Sequence, residues 1–433
     1  MLQRGVVIRK IFITIMCLIG LSASYAYAGN MEDGQSAYDK KDYKTAYDLF
    51  LMEAQKGDAK AQYNVGVMFA KGQGVEQNYK EAVKWYRLAA EQGIAMAQYH
   101  VGLIYDKGLG VSQDYKEAVK WYQLAAEQGY AEAQNNLGFM YNHGLGVSQD
   151  DKEAVNWYQR AAEKGYAEAQ NNLGLMYAKG QEVLQDDKEA VNWYQRAAEQ
   201  GHAMAQFNLG VMYEKGQGVS QDDKEAVKWF SRAAEQGIAM AQFNLGVMYD
   251  KGRGVAQDDK EAVKWFSRAV EQGYAMAQFN LGVMYDKGRG VAQDYKEAVK
   301  LFRLAGEQGY AMAQYSLGVM YDKGRGVKQD YEEADKWYWL ASKQGIAMAQ
   351  FNLGVMYYKG LGVPQDYKAA VKWYQLAAEQ GFVMAKCTLA GMYAEGLGIT
   401  KDLATAKRLA KEGIDAGEQH CEKVWKKYNL ADY

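Results

Sequence analysis

Acidic residues recur in this chain at a spacing that could bind a calcium ion. Asp250, Asp258 and Glu261 occupy the first, ninth and twelfth places of a twelve-residue segment, and those are ligand places in a helix-loop-helix calcium site. The third and fifth places, which should also supply oxygen ligands, hold glycines, and Val255 stands where such a loop needs a glycine for its sharp turn. We therefore interpret these acids as parts of helix ends and expect no bound metal ion.

The histidines and the glycine-rich loops do not suggest a catalytic centre either. Such a centre needs unlike groups that converge on one point. The four histidines, in contrast, occupy unrelated places in the chain: His100, His143, His202 and His420. No serine is followed by lysine at the third position, and the loops lack both the third glycine of a dinucleotide-binding turn and the Gly-Lys pair of a phosphate-binding loop. The sequence predicts no cofactor and no enzymatic activity.

Charge and composition predict a helical protein without a nucleic-acid partner. The chain of 433 residues carries 51 basic and 53 acidic residues, a formal net charge of −2, and the two signs are interspersed. Nucleic-acid binding needs a basic surface that this mixture does not provide. The single proline, Pro364, and the abundance of helix-forming residues predict helices over most of the chain.

The first 28 residues have the features of a cleavable export signal. Basic residues precede an apolar run from Ile11 to Leu21, and Ala26 and Ala28 provide the small side chains that a signal peptidase needs. We predict cleavage after Ala28, no membrane span thereafter, and a periplasmic or secreted protein. The alternative is an uncleaved N-terminal anchor, although the apolar run is shorter than the ~20 residues that a spanning helix requires.

Two cysteines, Cys387 and Cys421, remain after this cleavage. An exported protein reaches an oxidising compartment, in which a disulfide persists. The separation of 34 residues (421 − 387) matches one step of the repeat described next only approximately, and disulfide geometry is demanding. The sequence therefore leaves open whether the two cysteines pair.

A 36-residue step runs through most of the chain. The stretch from Met240 to Asp258 recurs as Met276 to Asp294, a shift of 36 residues (276 − 240). A repeat of this length is typical of a solenoid, in which each unit packs only on its neighbours. Ten units over residues 59–418 follow from this step and start at Ala59, Ala95, Ala131, Ala167, Ala203, Ala239, Ala275, Ala311, Ala347 and Val383. We expect residues 29–58 to form an N-terminal capping unit and residues 419–433 a C-terminal capping helix.

The unit that starts at Ala203 predicts a pair of antiparallel helices. Apolar residues recur every three or four positions from Ala203 to Lys215, which indicates a first helix that Gly216 ends. Asp222, followed three residues later by Glu225, is a capping box that starts a second helix. Gly210 lies inside the first helix, where glycine costs ~1 kcal/mol relative to alanine. Its recurrence in the other units indicates a neighbour too close for a larger side chain.

These recurring residues resemble the Sel-one-like repeat, a relative of the tetratricopeptide repeat with a longer link between its helices. In the same unit they are Ala205, Leu209, Gly210, Tyr213, Gly216, Gly218, Val219, Ala226, Trp229, Phe230, Ala233, Ala234 and Gly237. The resemblance implies an all-α fold, a right-handed superhelical solenoid whose concave face is lined by the first helices. It also implies a non-enzymatic scaffold or adaptor that binds protein in the bacterial envelope or in a host. We expect a monomer.

If the first helices line a groove, the second, fifth and ninth residues of each repeat should face it. In the later repeats these residues are apolar and suit a peptide or protein segment: Met204, Phe207, Val211, Met240, Phe243, Val247, Met276, Phe279, Val283, Met312, Tyr315, Met348 and Phe351. In two earlier repeats they include polar residues: Glu132, Asn135, Glu168 and Asn171. The opposing interpretation is that the Met and Phe side chains pack between helices as core.

Glycan binding is a second interpretation of the function. The chain contains 35 Tyr and 10 Trp, and exposed aromatic rings can stack on the sugar rings of peptidoglycan or of an exopolysaccharide. Most of the tryptophans recur at one position of the second helix, however, which is more typical of core.

Overall fold

The structure of this protein is a computed structural model that describes residues 29–181 and 184–432. The predicted export signal, residues 1–28, lies outside the described residues. The chain divides into two compact units, the first ending at Gln221 and the second beginning at Asp222, and each is described by itself. The described residues contain no β-strand. No helix among them is long and apolar enough to cross a membrane.

Nearly all helices are thirteen residues long. In the first unit they are α1 (described over residues 29–39), α2 (Tyr43–Gln55), α3 (Ala59–Lys71), α4 (Tyr79–Glu91), α5 (Ala95–Lys107), α6 (Tyr115–Glu127), α7 (Ala131–His143), α8 (Asp151–Glu163), α9 (Ala167–Lys179), α10 (Asp187–Glu199) and α11 (Ala203–Lys215). In the second unit they are α12 (Asp223–Glu235), α13 (Ala239–Lys251), α14 (Asp259–Glu271), α15 (Ala275–Lys287), α16 (Tyr295–Glu307), α17 (Ala311–Lys323), α18 (Tyr331–Lys343), α19 (Ala347–Lys359), α20 (Tyr367–Glu379), α21 (Val383–Glu395), α22 (Leu403–Asp415) and α23 (Gln419–Lys427), followed by a 3₁₀ turn (Leu430–Asp432).

Within each unit, nearly every helix packs mainly on the helix before it and the helix after it, and α23 packs on both α21 and α22. Short links make consecutive helices antiparallel, so each unit is an all-α solenoid of stacked helix pairs. The predicted first helix from Ala203 to Lys215 is confirmed as α11, and the second helix of that repeat begins directly after Asp222 as α12. The periodicity of the sequence therefore placed these helices correctly.

The ends of the helices are closed by the same residue types in successive repeats. Helix α13 ends at Gly252, which adopts the left-handed conformation with φ of 66°. Helix α14 begins after Asp258, whose side chain accepts hydrogen bonds from two backbone amides of the first turn at 2.9 and 3.1 Å. The predicted capping box is only half formed. The backbone N–H of Asp258 donates to the carbonyl oxygen of Tyr249 at 3.0 Å, and the Glu261 carboxylate accepts from Lys264 instead.

In most repeats a glycine inside the first helix contacts an aromatic ring of the second helix of the same repeat. A Cβ atom at Gly246 would lie 2.7 Å from two ring carbons of Phe266, whose side chain is 1 % exposed. This explains the glycine that recurs at this place, because no larger residue fits. The equivalent pairs are Gly66 and Tyr86, Gly102 and Tyr122, Gly138 and Tyr158, Gly174 and Tyr194, Gly282 and Phe302, Gly318 and Tyr338, and Gly354 and Tyr374.

A buried glutamine joins most repeats to the preceding one. The Gln98 side chain in α5 donates to the carbonyl oxygen of Ala90 in the last turn of α4 at 3.1 Å, where helical carbonyls lack an intrahelical partner. Its own oxygen accepts from the Gln128 side chain at 2.7 Å. The same two bonds are made by Gln62, Gln170, Gln242, Gln314 and Gln350.

The repeat that contains Lys164 departs from this pattern. The glutamine that should donate to Gln134 is replaced by Lys164, whose ammonium group donates to the carbonyl oxygen of Gly129. Gln134 is 1 % exposed, and its side-chain oxygen has no hydrogen-bond partner among the described residues. A buried acceptor without a donor lowers stability by about 1–3 kcal/mol.

Helices also lie on either side of the ten predicted repeats. Helices α1 and α2 lie in the segment predicted as an N-terminal capping unit. Helix α23 lies in the segment predicted as a C-terminal capping helix, and it is shorter than residues 419–433 because it ends at Lys427. Val424 of this helix is 8 % exposed and packs against the core of the last repeats, with Trp425 beside it.

Substitution of Gly246 by alanine should lower the free energy of unfolding. The added methyl group would meet the immobile Phe266 ring, and overpacking of this kind costs about 1–3 kcal/mol. Gly391 in α21 provides the matched control, because a Cβ there would have only one neighbour, at 4.0 Å. Gly391→Ala should stabilise the protein by ~0.5–1 kcal/mol through helix propensity. Urea unfolding followed by circular dichroism measures both effects, and equal shifts of the two midpoints would contradict the contact.

Substitution of Lys164 by glutamine should raise the free energy of unfolding by about 1 kcal/mol, because it supplies the missing donor to Gln134. The reverse change in the next repeat, Gln200→Lys, removes the 2.7 Å bond to Gln170 and should destabilise by a similar amount. Both variants are compared with the unchanged chain by thermal melting. A lower melting temperature for Lys164→Gln would show that the glutamine hydrogen bonds do not stabilise the contact between neighbouring repeats.

Candidate binding surface

The predicted groove residues lie on one side of the first helices, because the second, fifth and ninth residues of a helix are about one turn apart. In the second unit all of them, from Met240 to Phe351, are at least partly exposed, and Met348 reaches 36 %. In the first unit Met204, Phe207 and Val211 are also partly exposed. We call the apolar residues of α13, α15, α17 and α19 in the second unit the first-helix stripe.

Each aromatic ring of the stripe is part core and part surface. The Phe279 ring lies 5.7 Å from the Phe302 ring of its own repeat and 5.2 Å from the Tyr310 ring at the start of the next repeat, measured between centroids. Phe243 and Phe351 make the same two kinds of contact. The inner edge of each ring is thus held by the core while its outer part stays accessible. Groove and core are not exclusive alternatives for these residues.

The two asparagines predicted for the groove of the first unit are hydrogen-bonded to asparagines of the following repeat. Asn135 and Asn171 are each 6 % exposed. The Asn172 side chain donates to the Asn135 oxygen, and the Asn208 side chain donates to the Asn171 oxygen, both at 3.0 Å. These amides therefore connect α7, α9 and α11 and leave little polar surface for a ligand. The repeated Asn-Asn pair in the sequence was a signal for this network.

The two predicted glutamates have different surroundings. The Glu168 carboxylate accepts a hydrogen bond from the His202 ring, with 2.8 Å between Oε2 and Nε2. This hydrogen bond lowers the pKa of the Glu168 carboxyl. Glu132, at the same place one repeat earlier, is partly exposed. Of the four polar residues predicted for the groove of the first unit, Glu132 and Glu168 are more exposed than Asn135 and Asn171.

Sequence reasoning missed one prominent surface residue, Phe139. It is 43 % exposed, and it holds the ninth place of its repeat, where most other repeats have valine or leucine. Two pockets adjoin it. One, of about 440 Å³, is also lined by Asn142 and Tyr158, and the other, of about 430 Å³, is also lined by Asp106 and Glu168. The signal in the sequence was a large aromatic residue at a position that is otherwise aliphatic.

Tryptophan recurs at one position of the second helices. Six of these side chains are buried, with 5–9 % exposed: Trp121, Trp157, Trp193, Trp229, Trp265 and Trp337. Trp85 and Trp373 at the same position are partly exposed. An arginine guanidinium lies over the ring in several repeats, as for Arg160 over Trp157 at 4.4 Å. This arrangement stabilises by cation-π attraction and shields the ring from solvent. The interpretation of these tryptophans as core is thereby confirmed.

Each acid of the calcium-like spacing has a partner within the protein. The guanidinium of Arg289 lies 2.6 Å from Asp250, the Asp258 side chain caps α14, and the Glu261 carboxylate accepts from Lys264. In the part of the chain that the structure describes, no group of three or more His, Cys, Asp or Glu side chains could hold a metal ion. The histidines are dispersed, and burial lowers the pKa of His100, which stacks on Tyr86, to about 4.

The two cysteines form a disulfide, Cys387–Cys421, in the structure. Both side chains are fully buried, and the bond links α21 to the capping helix α23. Helix α22 passes beside the bond at Gly413, where a Cβ would lie 2.0 Å from the Cys421 sulfur. The glycine thus provides the space that the disulfide needs.

Comparison with known proteins gives consistent results for the whole repeat region. The family model of the Sel1 repeat matches residues 21–58, 59–94, 95–130, 131–166, 167–202, 203–238, 239–274, 275–310, 311–346, 347–382 and 384–418. The matches from residue 59 onward start at the boundaries that the 36-residue step predicts, apart from the last. Comparison with curated proteins gave no match.

Two solved structures are similar to this chain in both sequence and fold. One is c5321, a protective antigen present in uropathogenic Escherichia coli strains that displays an SLR fold. It is 35% identical, with a TM-score of 0.84, and the match covers 93% of this chain and 87% of that chain. The other is a Sel1 repeat protein from Oxalobacter formigenes, 36% identical with a TM-score of 0.56, and the match covers 71% of this chain and 90% of that chain.

Proposed function

Because the chain belongs to the Sel1 repeat family, we propose that it is a non-enzymatic scaffold that binds a peptide or protein segment along the first-helix stripe. Proteins of this family are generally protein-interaction scaffolds. The observation that carries the proposal is the regular recurrence of accessible apolar side chains. In the second unit α13, α15, α17 and α19 each present methionine and an aromatic residue at the same two places, partly or fully exposed.

The packing of the stripe favours binding. The core holds each ring, as Phe302 and Tyr310 hold Phe279, so little side-chain freedom is lost when a partner covers the outer part. Methionine is flexible and polarisable and adapts to varied apolar surfaces. A partner that supplies one apolar side chain per repeat would therefore contact an aromatic ring that is already held in place and a methionine that adapts to its shape.

We propose also that the protein is exported to the periplasm or beyond the cell. The sequence of residues 1–28 supports this, and so does the buried disulfide, since disulfides persist in oxidising compartments. The description of the 35% identical relative as a protective antigen is in keeping with export. No catalytic step is part of the proposal.

Replacement of Met276, Met312 and Met348 together by glutamate should abolish partner capture, because three charges would face the apolar partner. Tagged protein is incubated with envelope and secreted fractions of the native cell, and bound proteins are quantified by mass spectrometry. We expect at least a tenfold loss of the specific partner, which corresponds to about 1.4 kcal/mol.

The matched control places the same three charges on the second helices of the same repeats. Leu304, Leu340 and Leu376 are 38–43 % exposed, and their replacement by glutamate should leave capture unchanged. Circular dichroism shows that both triple variants remain folded. Capture that depends on these leucines and not on the methionines would contradict binding at the stripe.

Glycan binding is a second candidate function, and Phe139 is the observation that favours it. An exposed ring between two pockets lined by amides and carboxylates offers both a stacking face and hydrogen-bond partners for a sugar. The buried tryptophans of the second helices do not contribute to such a site.

Substitution of Phe139 by alanine should weaken glycan binding roughly tenfold if this second function holds, the effect of losing ~1.5 kcal/mol of ring stacking. A glycan array that includes peptidoglycan fragments identifies the ligand, and titration of that ligand measures the loss. Leu124→Ala, on a second helix where the side chain is 39 % exposed, is the control. Absence of glycan binding to the unchanged protein rejects this candidate and leaves the protein-binding proposal intact.

A further inference from the structure

A pocket of about 520 Å³ lies near the C-terminal end of the second unit, between α19, α21 and α23. Its apolar wall includes Phe351 and Val355 of α19, Tyr374 of α20 and Val424 of α23. Phe351 is also the last residue of the first-helix stripe, so the stripe leads into the pocket. Pockets of about 300–1,000 Å³ are the size that binds small ligands or the end of a chain.

The pocket adjoins a position at which the last repeat departs from the others. Gly391 occupies the ninth place, and a Cβ there would meet only a Tyr428 ring carbon, at 4.0 Å. The missing side chain leaves open space that α23 borders without filling. All other repeats carry a larger residue at this place: Val67, Leu103, Phe139, Leu175, Val211, Val247, Val283, Val319 and Val355.

The rim of the pocket is positively charged. Lys359, Lys423 and Lys427 line it together with a single acid, Glu395. Lys427 donates to Glu395 at 2.8 Å and the Tyr428 hydroxyl also donates to it, and these hydrogen bonds lower the pKa of the Glu395 carboxyl. Glu395 therefore stays ionised and is already paired.

The other two lysines are available to a ligand. In the described part of the chain, neither Lys359 nor Lys423 makes an ion pair or a side-chain hydrogen bond. His420 also lines the rim. An apolar cavity with unpaired ammonium groups at its mouth matches a ligand that is apolar at one end and anionic at the other.

We propose that this pocket binds the free C-terminal end of a peptide whose last residue is large and apolar. The final side chain enters the cavity against Phe351 and Val424, and the terminal carboxylate binds Lys359 and Lys423. The inference rests on the proposed function and specifies the orientation of the bound segment. A bound segment would run along the stripe with its C-terminus at the C-terminal end of the repeats.

The test uses a hexapeptide, Gly-Ser-Gly-Ser-Ala-Phe, with fluorescein at its N-terminus and a free carboxylate, titrated with the full protein in non-reducing buffer and followed by fluorescence polarisation. The same peptide with a C-terminal amide should bind at least tenfold more weakly.

Gly391→Val restores the residue type of the other repeats and should fold, yet it fills the cavity and should also reduce affinity for the peptide at least tenfold. Lys359→Ala with Lys423→Ala should abolish the preference for the acid, whereas Lys372→Ala, an exposed lysine on α20, should change nothing.

Equal binding of acid and amide, unchanged binding to Gly391→Val, or no binding to the unchanged protein would each overturn the proposal. Displacement of the peptide by alanyl-phenylalanine supports it, while displacement by decanoate and not by this dipeptide would assign the pocket to acyl chains and reject it. The result is distinguishable from failure of the proposed function. Partner capture that still depends on Met276, Met312 and Met348 shows that the stripe binds protein even if the pocket does not bind carboxylates.

Discussion

The contact between a glycine in the first helix and an aromatic ring in the second sets the geometry of each repeat. In the described repeats the ring lies twenty residues after the glycine, as in Gly246 and Phe266, and a Cβ at the glycine would be 2.5–2.9 Å from the ring. In the last repeat both partners change together, to Ala390 and Ala410. The N-terminal unit keeps the contact between Gly34 and Phe50, although its helices are joined by a shorter link. The distance between the two helices of a repeat therefore depends on this contact. The links between the helices, and the contacts from one repeat to the next, must fit that distance.

Stability and binding use different positions of the same repeat. The glycine, the aromatic ring, the buried glutamine and the aspartate cap recur with little change, because each satisfies a constraint that every repeat faces. Positions with an accessible side chain vary more. Phe139 and Gly391 occupy the same place in two repeats, yet one projects a ring between two pockets and the other leaves a cavity. Ligand recognition is therefore best sought where repeats differ.

Most of the fold was predictable because it depends on interactions over short stretches of chain. The bounds of α11, the glycine stops and the aspartate caps follow from local periodicity and backbone preferences. The candidate surface was predictable only in part. The stripe residues are accessible as expected, but the sequence did not show that Asn135 would be bonded to Asn172 in the next repeat. It also did not show that the Glu261 carboxylate would accept a hydrogen bond from Lys264 instead of from the backbone N–H of Asp258, as a capping box requires.

The sequence by itself determined the repeat, the helix pairs, their order and the glycine-aromatic spacing, because a unit that recurs every 36 residues meets nearly the same neighbours each time. Only the tertiary structure decided the features in which the surroundings are not repeated. The pairing of Cys387 with Cys421, the open cavity at Gly391 and the two unpaired lysines beside it all depend on the path of α23. That helix belongs to no repeat, so no periodicity indicates where it packs. Its position is set by side chains that meet across the end of the stack.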